Sequence, residues 1–218
     1  MNINLLDNAE AKQLQQLIIE AEHIVICAHK SPDGDALGSS LAWKSYLNQI
    51  GKTDVTVCMP DAYPDFLQWL PEANTVLRYD KNPEKVQETF NRADLVCCLD
   101  FNQYARVEAM RSTLEGCKAK RILIDHHLEP QTDNAITISQ PNMSSTSEMI
   151  FYIISQLGGY NDMTKDCAQC IYCGMMTDTG GFTYNSTRPE IYFVIGQLLL
   201  KGIDKDNIYN RVFHNYSV

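Results

Sequence analysis

The feature that most constrains the fold is an alternation of short apolar runs with longer stretches of helical periodicity. A strand buried on both faces is continuously apolar, as at residues 23–28, whereas residues 35–50 show helical spacing and stop at Gly51. The predicted strands are residues 23–28, 54–59, 75–79, 94–99, 121–124 and 135–139. Repeated strand–helix–strand order predicts an α/β fold, with a mostly parallel, Rossmann-like sheet, helices on both faces and right-handed crossovers.

Further helices are predicted near both ends of the chain. Residues 1–22 read as an amphipathic helix without the apolar core or cleavage site of a signal peptide. A helix is also predicted around residues 107–116. From residue 145 onward the pattern is helical, and the predicted helices are residues 147–157, 164–176, 188–201 and 204–213. No apolar run is long enough to cross a bilayer, so no membrane association and a cytoplasmic location are expected.

Charge and cysteine content narrow the classes of function. The net charge of −9 argues against tight binding of duplex nucleic acid through a basic surface, but it leaves room for a short oligonucleotide or a single nucleotide. Eight cysteines without a secretory signal favour free thiols. Cys167, Cys170 and Cys173 have the spacing of part of an iron–sulfur ligand run, yet core packing on a helix is the favoured interpretation.

Polar side chains concentrate where apolar elements end. His29, Asp33 and Asp35 follow the first predicted strand, and Asp100 follows the strand at 94–99. Asp125, His126 and His127 follow the strand at 121–124, and Asp178 follows the helix that runs through residue 176. The carboxyl ends of parallel strands share one edge of a sheet, where ligands bind. These clusters are therefore predicted to converge in one crevice.

Each cluster also has a structural interpretation. Asp100 alone could be a turn former, His29 a hydrogen-bonded core histidine, and Asp33 and Asp35 a helix-capping turn. Asp125-His126-His127 is different, because packing gives no reason for two imidazoles and a carboxylate directly after an apolar strand. Together the clusters predict a metal site.

Crowded carboxylates require compensating positive charge. Two divalent ions, about 3.5–4 Å apart, would supply that charge and bind attacking and leaving oxygens in a two-metal mechanism. Mixed histidine and carboxylate ligation favours Mn²⁺, with Mg²⁺ and Zn²⁺ as alternatives.

The sequence resembles the DHH phosphoesterase family through four ordered motifs: HKSPDGDALGSS at residues 29–40, Asp100 at a strand end, IDHH at 124–127 and TDTGGF at 177–182. The resemblance implies that His29 and Asp33 bind one metal ion, that Asp35, His126 and Asp178 bind the other, and that Asp100 bridges them. It implies that His127 faces the substrate phosphate as a cation or general acid, and that Asp125 orients a neighbouring histidine. Gly180 and Gly181 are predicted to let the backbone approach the substrate, and a simple turn is the alternative interpretation.

Within the family, the wording of the first and fourth motifs is most similar to the bacterial bifunctional oligoribonuclease and pAp phosphatase branch. That similarity implies hydrolysis of short oligonucleotides, of 3′-phosphoadenosine 5′-phosphate (pAp), or of both. Three alternatives remain: a cyclic-dinucleotide phosphodiesterase, a manganese inorganic pyrophosphatase, and a non-catalytic nucleotide-binding regulator. The sequence does not fix the oligomeric state, and a homodimer is among the expected forms.

The family resemblance also suggests a domain organisation. Residues 1–187 are expected to form the DHH catalytic metal-binding domain, and residues 188–218 to form helices that lead into a linker. The Gly-Gly-Gly-His-type segment of the DHH-associated C-terminal domain is not found between Met1 and Val218. The chain is therefore expected to be a catalytic-domain fragment.

Overall fold

A computed structural model describes residues 3–131 and 133–214 and contains one six-stranded sheet in which every neighbouring pair of strands is parallel. The strands are β1 (Ile24–Cys27), β2 (Val55–Met59), β3 (Leu77–Arg78), β4 (Leu95–Leu99), β5 (Lys120–Asp125) and β6 (Ile136–Ser139). Their spatial order is β3-β2-β1-β4-β5-β6. The predicted α/β class is confirmed, and the sheet is parallel throughout.

The strand order places a topological switch point between β1 and β4. The chain first moves outward through β2 and β3, then returns to add β4 on the other side of β1. Ile24 pairs with both Val55 and Leu95, so β1 is hydrogen-bonded on both edges. In an open parallel sheet, the crevice beyond the carboxyl ends of strands at such a point is where ligands bind.

Helices cover both faces of the sheet. They are α1 (Asn8–Glu20), α2 (Gly34–Gln49), α3 (Pro83–Arg92), α4 (Arg111–Gly116), α5 (Thr146–Gln156), α6 (Lys165–Asp178), α7 (Pro189–Leu200) and α8 (Lys205–Phe213). The larger apolar core includes buried residues of α1, α2 and α5–α8, and the smaller core includes those of α3 and α4. Short 3₁₀ segments occupy Asp65–Leu67, Ala73–Thr75 and Tyr104–Met110.

Helices α2 and α6 approach each other closely through glycine. A Cβ at Gly38 would lie 2.6 Å from the carbonyl oxygen of Cys170 and 3.1 Å from the backbone nitrogen of Gly174. A Cβ at Gly174 would collide with the Ser147 hydroxyl and lie 2.8 Å from Oδ1 of Asp35. These glycines let α2, α5 and α6 meet beneath the carboxyl edge of the sheet.

The cysteine-rich part of α6 lies in the apolar core. Cys167, Cys170 and Cys173 are buried as free thiols, and burial raises the pKa of the Cys167 and Cys173 thiols to about 12. Within residues 3–131 and 133–214, the side-chain groups that could hold a metal ion contain no cysteine. The packing interpretation of these cysteines is confirmed.

Three differences from the predicted elements concern helices. Helix α3 was not predicted. Two signals for it are present, since Pro83 begins the helix and its buried side chains, Val86 and Phe90, lie one turn apart. The helix predicted near residues 107–116 is divided into a 3₁₀ segment and the six-residue α4. The helix predicted to end at residue 176 continues to Asp178, so this carboxylate lies in the last turn of α6.

The final helices pack against the larger core. Ile191, Val194 and Leu198 of α7 are buried there, together with Ile208 and Val212 of α8. The expected division at residue 187 stays a prediction. In the part of the chain that the structure describes, no helix combines the length and apolar character needed to cross a membrane.

Candidate metal centre

The loop between β1 and α2 carries His29 and Asp33 to the crevice. His29 is buried, and its Nδ1 donates to the carbonyl oxygen of Lys30 at 2.7 Å. Asp33 is the N-cap of α2, and its Oδ1 accepts from the backbone nitrogens of Asp35 and Ala36, each at 2.9 Å. These bonds turn Nε2 of His29 and Oδ2 of Asp33 towards each other, 3.9 Å apart.

Asp35 is held by the N-terminus of α5. Its Oδ2 accepts from the backbone nitrogen of Thr146 at 2.7 Å, and its Oδ1 from that of Ser147 at 2.8 Å. Helix N-termini stabilise negative charge through unpaired N–H groups and the helix dipole. Burial nevertheless raises the pKa of Asp35, with the neighbouring Asp33 charge adding to the effect and His126 opposing it.

Asp100 follows β4 in a left-handed backbone conformation, with φ of 63°. Such a φ is uncommon for a residue other than glycine and occurs often at functional sites. The residue is 2% exposed, and its Oδ1 accepts from the Thr146 hydroxyl at 2.9 Å. Burial raises the pKa of Asp100 well above its usual range, and the nearby charges of Asp35, Asp33 and Asp178 raise it further.

The two histidines after β5 make different bonds. His126 Nδ1 donates to the Met143 carbonyl oxygen at 3.3 Å, which turns Nε2 towards the carboxylates. His127 Nδ1 donates to Oδ1 of Asp125 at 2.7 Å, and the His127 backbone nitrogen donates to Oδ2 of Asp125 at 3.0 Å. Because Asp125 is fully buried and bonded to His127, it raises the pKa of that imidazole.

Asp178 comes from the opposite side of the crevice, at the end of α6. Its Oδ2 lies 3.6 Å from His126 Nε2. Burial is the main cause that raises the pKa of Asp178 to about 8, and the charges of Asp35 and Asp33 contribute.

These side chains form three overlapping groups, in each of which the potential ligand atoms lie within 4.8 Å of one another. The groups are His29, Asp33 and Asp100; Asp35, His126 and Asp178; and Asp100, His126 and His127. The structure therefore brings together all six residues predicted as metal ligands, with Asp100 and His126 shared between groups. Asp125 belongs to none of these three groups and is hydrogen-bonded to His127 instead.

The distances between these histidine nitrogens and carboxylate oxygens fit bound cations better than direct hydrogen bonds. His29 Nε2 is 3.5 Å from Asp100 Oδ2, and His126 Nε2 is 3.6 Å from Asp100 Oδ1. A neutral imidazole whose Nδ1 donates to a carbonyl directs the lone pair of its Nε2 at these carboxylate oxygens, which is unfavourable without positive charge between them. Nitrogen and oxygen ligands lie roughly 2.0–2.2 Å from Zn²⁺ or Mg²⁺, so separations of this size leave room for an ion.

One segment that holds the site side chains by hydrogen bonds was not predicted from the sequence. Residues 143–147 contact His126 through a carbonyl, Asp35 through two backbone amides and Asp100 through a hydroxyl. These are mostly backbone groups, so residue types gave little signal. The available signal was the Ser145 N-cap with Glu148 three residues later, a helix-start pattern.

Gly180 and Gly181 lie in the turn after Asp178, both with positive φ. A Cβ at Gly180 would collide with the ring of Tyr184, and one at Gly181 would lie 3.3 Å from the ring of Tyr209. The positive φ favours glycine at both positions, and a side chain at Gly180 would in addition displace the Tyr184 ring. The predicted contact with substrate stays a prediction.

The structure is thus an α/β fold whose topological switch point carries a cluster of aspartate and histidine side chains that could bind metal ions. The sequence model described as the DHH family, N-terminal domain, matches residues 23–175. The chain belongs to the DHH family.

Relatives and solved structures agree with this assignment. The chain is 31% identical, over 87% of its length and 53% of the relative's, to a bifunctional oligoribonuclease and PAP phosphatase of Thermus thermophilus. It is 23% identical, over 79% of its length and 27% of the relative's, to a cyclic-di-AMP phosphodiesterase of Listeria monocytogenes. A crystal structure of an exopolyphosphatase-related protein from Bacteroides fragilis superposes with a TM-score of 0.96 at 46% identity, covering 99% of this chain and 63% of that one.

The chain spans about half the length of the first curated relatives that it matches, with 53%, 55% and 59% of their sequences covered.

Proposed function

We propose that this chain is a metal-dependent phosphoesterase that hydrolyses short oligonucleotides, pAp, or both. The observation that carries the proposal is the convergence of four aspartates and three histidines in overlapping ligand groups at the switch point of the sheet. The similarity to bifunctional oligoribonuclease and PAP phosphatases supports this choice of substrate class.

The proposed ligand set divides the six side chains between two ions. His29 and Asp33 would hold one ion, Asp35, His126 and Asp178 would hold the other, and Asp100 would be shared between them. Mn²⁺ is the proposed metal, because its preferences accommodate nitrogen and oxygen ligands together, and Mg²⁺ is the alternative. When bound, such ions supply positive charge for the phosphoryl group and make water a stronger nucleophile.

His127 is proposed to contact the substrate. Its Nδ1 is bonded to Asp125, its side chain is 35% exposed, and its Nε2 is left to face a phosphate oxygen or a leaving oxygen. The fully buried Asp125 fixes the imidazole orientation and favours the protonated form. His127 also belongs to one possible ligand group, but the bond to Asp125 favours the role of cation or general acid.

Activity of the chain with Mn²⁺ on a ribodinucleotide and on pAp tests the proposal. We expect release of mononucleotides from the first and of phosphate from the second, with both lost in Asp100→Ala and His126→Ala. Glu88→Ala serves as the control, because Glu88 is an exposed carboxylate on α3, away from the crevice.

The same assay separates the rival functions. Cleavage of a cyclic dinucleotide in preference to both substrates would favour the phosphodiesterase activity named for the Listeria relative. Preferential release of phosphate from pyrophosphate would favour a pyrophosphatase. Binding of nucleotide without turnover of any substrate by the folded, Mn²⁺-loaded chain would contradict the enzyme proposal and favour a regulator.

A further inference from the structure

A buried ion pair lies outside the proposed ligand set. Glu148, in the first turn of α5, is fully buried, and Nη2 of Arg188 lies 2.5 and 2.6 Å from its two carboxylate oxygens. Arg188 is the N-cap residue of α7, whose Ile191 and Val194 are buried in the larger core. The pair therefore connects the start of α7 to the start of α5.

Glu148 also fixes the chain that precedes α5. Its Oε2 accepts from the backbone nitrogen of Ser144 at 2.8 Å and from the Ser144 hydroxyl at 2.7 Å. Its own backbone nitrogen donates to the Ser145 hydroxyl at 3.0 Å. Ser144 and Ser145 are fully buried, so the Glu148 carboxylate is the main polar anchor of the Ser144 backbone nitrogen and hydroxyl.

The anchored segment contacts mainly the half of the metal centre that contains Asp35 and His126, and it reaches the shared Asp100 through the Thr146 hydroxyl at 2.9 Å. The Met143 carbonyl accepts from His126 at 3.3 Å, and the backbone nitrogens of Thr146 and Ser147 donate to Asp35 at 2.7 and 2.8 Å. The ligands of the other half are held differently. His29 is bonded to its neighbour's carbonyl, and Asp33 to the first turn of α2.

We infer that Glu148 and Arg188 are positioning residues for the ion held by Asp35, His126 and Asp178. They set the affinity of that half of the centre by fixing residues 143–147, without touching the ion. This inference rests on the metal centre of the proposed function. Breaking a buried pair leaves an uncompensated charge, so loss of Arg188 displaces the carboxylate that anchors the segment.

The test is a Mn²⁺ titration of the whole chain followed by electron paramagnetic resonance, which reports free Mn²⁺ and the coupling between bound ions. The wild-type chain is expected to bind two ions. Arg188→Met is expected to weaken one dissociation constant by about 10-fold or more, the effect typical of residues that orient metal ligands. The other constant should weaken much less, because the segment touches that half through the Thr146 hydroxyl bond to the shared Asp100. The coupled signal should be lost at Mn²⁺ concentrations that fill only the tighter half.

Two further variants sharpen the comparison. Arg188→Lys keeps a cation near Glu148 and should recover most of the affinity. Arg111→Met removes the arginine of an exposed pair, 2.8 Å from Glu115 on α4, and should bind both ions as the wild type does.

The outcomes separate this inference from the proposed function. Wild-type constants for both ions in folded Arg188→Met would overturn the positioning role alone, and so would equal weakening of both. Fewer than two bound ions in the wild-type chain would contradict the metal centre itself and the inference with it. If circular dichroism shows that Arg188→Met does not fold, Glu148→Gln, which removes the charge of the other partner, decides: one weakened constant supports the role, and two wild-type constants overturn it.

Discussion

At the scale of single residues, the site depends on which atom of each side chain is already bonded. His29 and His126 use Nδ1 on backbone carbonyls and keep Nε2 for the crevice, whereas His127 uses Nδ1 on the buried Asp125. The Nε2 atoms of the neighbouring His126 and His127 are therefore suited to different roles. The tripeptide Asp125-His126-His127 contains a candidate ligand, a candidate substrate contact and the carboxylate that orients it.

Asp125→Asn tests this division of roles. The amide keeps the size of the side chain but removes the charge that favours protonated His127. We expect turnover to fall by about 10–100-fold, as for other groups that orient a functional histidine, while two Mn²⁺ ions still bind. Steady-state kinetics and a metal titration on one preparation measure both effects. Loss of metal binding in this variant would contradict the assignment of Asp125 to His127.

The metal-free chain should lose stability as pH rises. The folded-state pKa of Asp178 is about 8, and that of Asp100 is well above its usual range, so the folded chain retains protons that the unfolded chain has released. The free energy of unfolding therefore decreases between the ordinary carboxyl range and pH 8. Urea unfolding in EDTA between pH 5.5 and 8 measures the slope, which should be smaller in Asp178→Asn. Equal slopes in the two proteins would contradict the crowding of charge at this site.

At the scale of elements, the packing of α2, α5 and α6 determines how closely the proposed metal-binding side chains approach one another. Gly38 and Gly174 bring α2 and α6 together, and Gly174 also faces Ser147 of α5 and Oδ1 of Asp35. A side chain at Gly174 would push against Ser147 and against Oδ1 of Asp35. Helix packing and ligand geometry therefore share the same contact.

Gly174→Ala should destabilise the fold and disturb the centre. Overpacking a tight contact typically costs 1–3 kcal/mol, and displacement of Asp35 should also weaken Mn²⁺ binding. The matched control is Gly196→Ala on α7, where an added Cβ meets nothing within 4 Å. That control should be neutral or stabilising by up to about 1 kcal/mol, since alanine favours helix. Urea unfolding compares the two, and equal stability would contradict the close contact.

Much of this arrangement could be predicted from the sequence, for a geometric reason. Continuous apolar runs identified the buried strands, and parallel strands bring their carboxyl ends to one edge, so His29, Asp100 and His126 had to lie close together. The polar helix α3 was missed because only Val86 and Phe90 of its side chains are buried. The support from residues 143–147 was missed because backbone groups make most of it.

At the scale of the whole molecule, the carboxyl edge of the sheet gathers negative charge in a chain whose net charge is already −9. A phosphate substrate would be repelled from such a crevice without cations. The final helices contribute as well, because Arg188 at the start of α7 pairs with Glu148 below the centre. We propose that residues 1–187 carry the catalytic centre and that Arg188, at the start of α7, supports it through Glu148.

The most direct test of the account is anomalous diffraction at the manganese edge from crystals of this chain grown with Mn²⁺. We expect two peaks about 3.5–4 Å apart, one beside His29 and Asp33, the other beside Asp35, His126 and Asp178, with Asp100 between them. A single peak, or peaks outside this crevice, would contradict the two-metal centre.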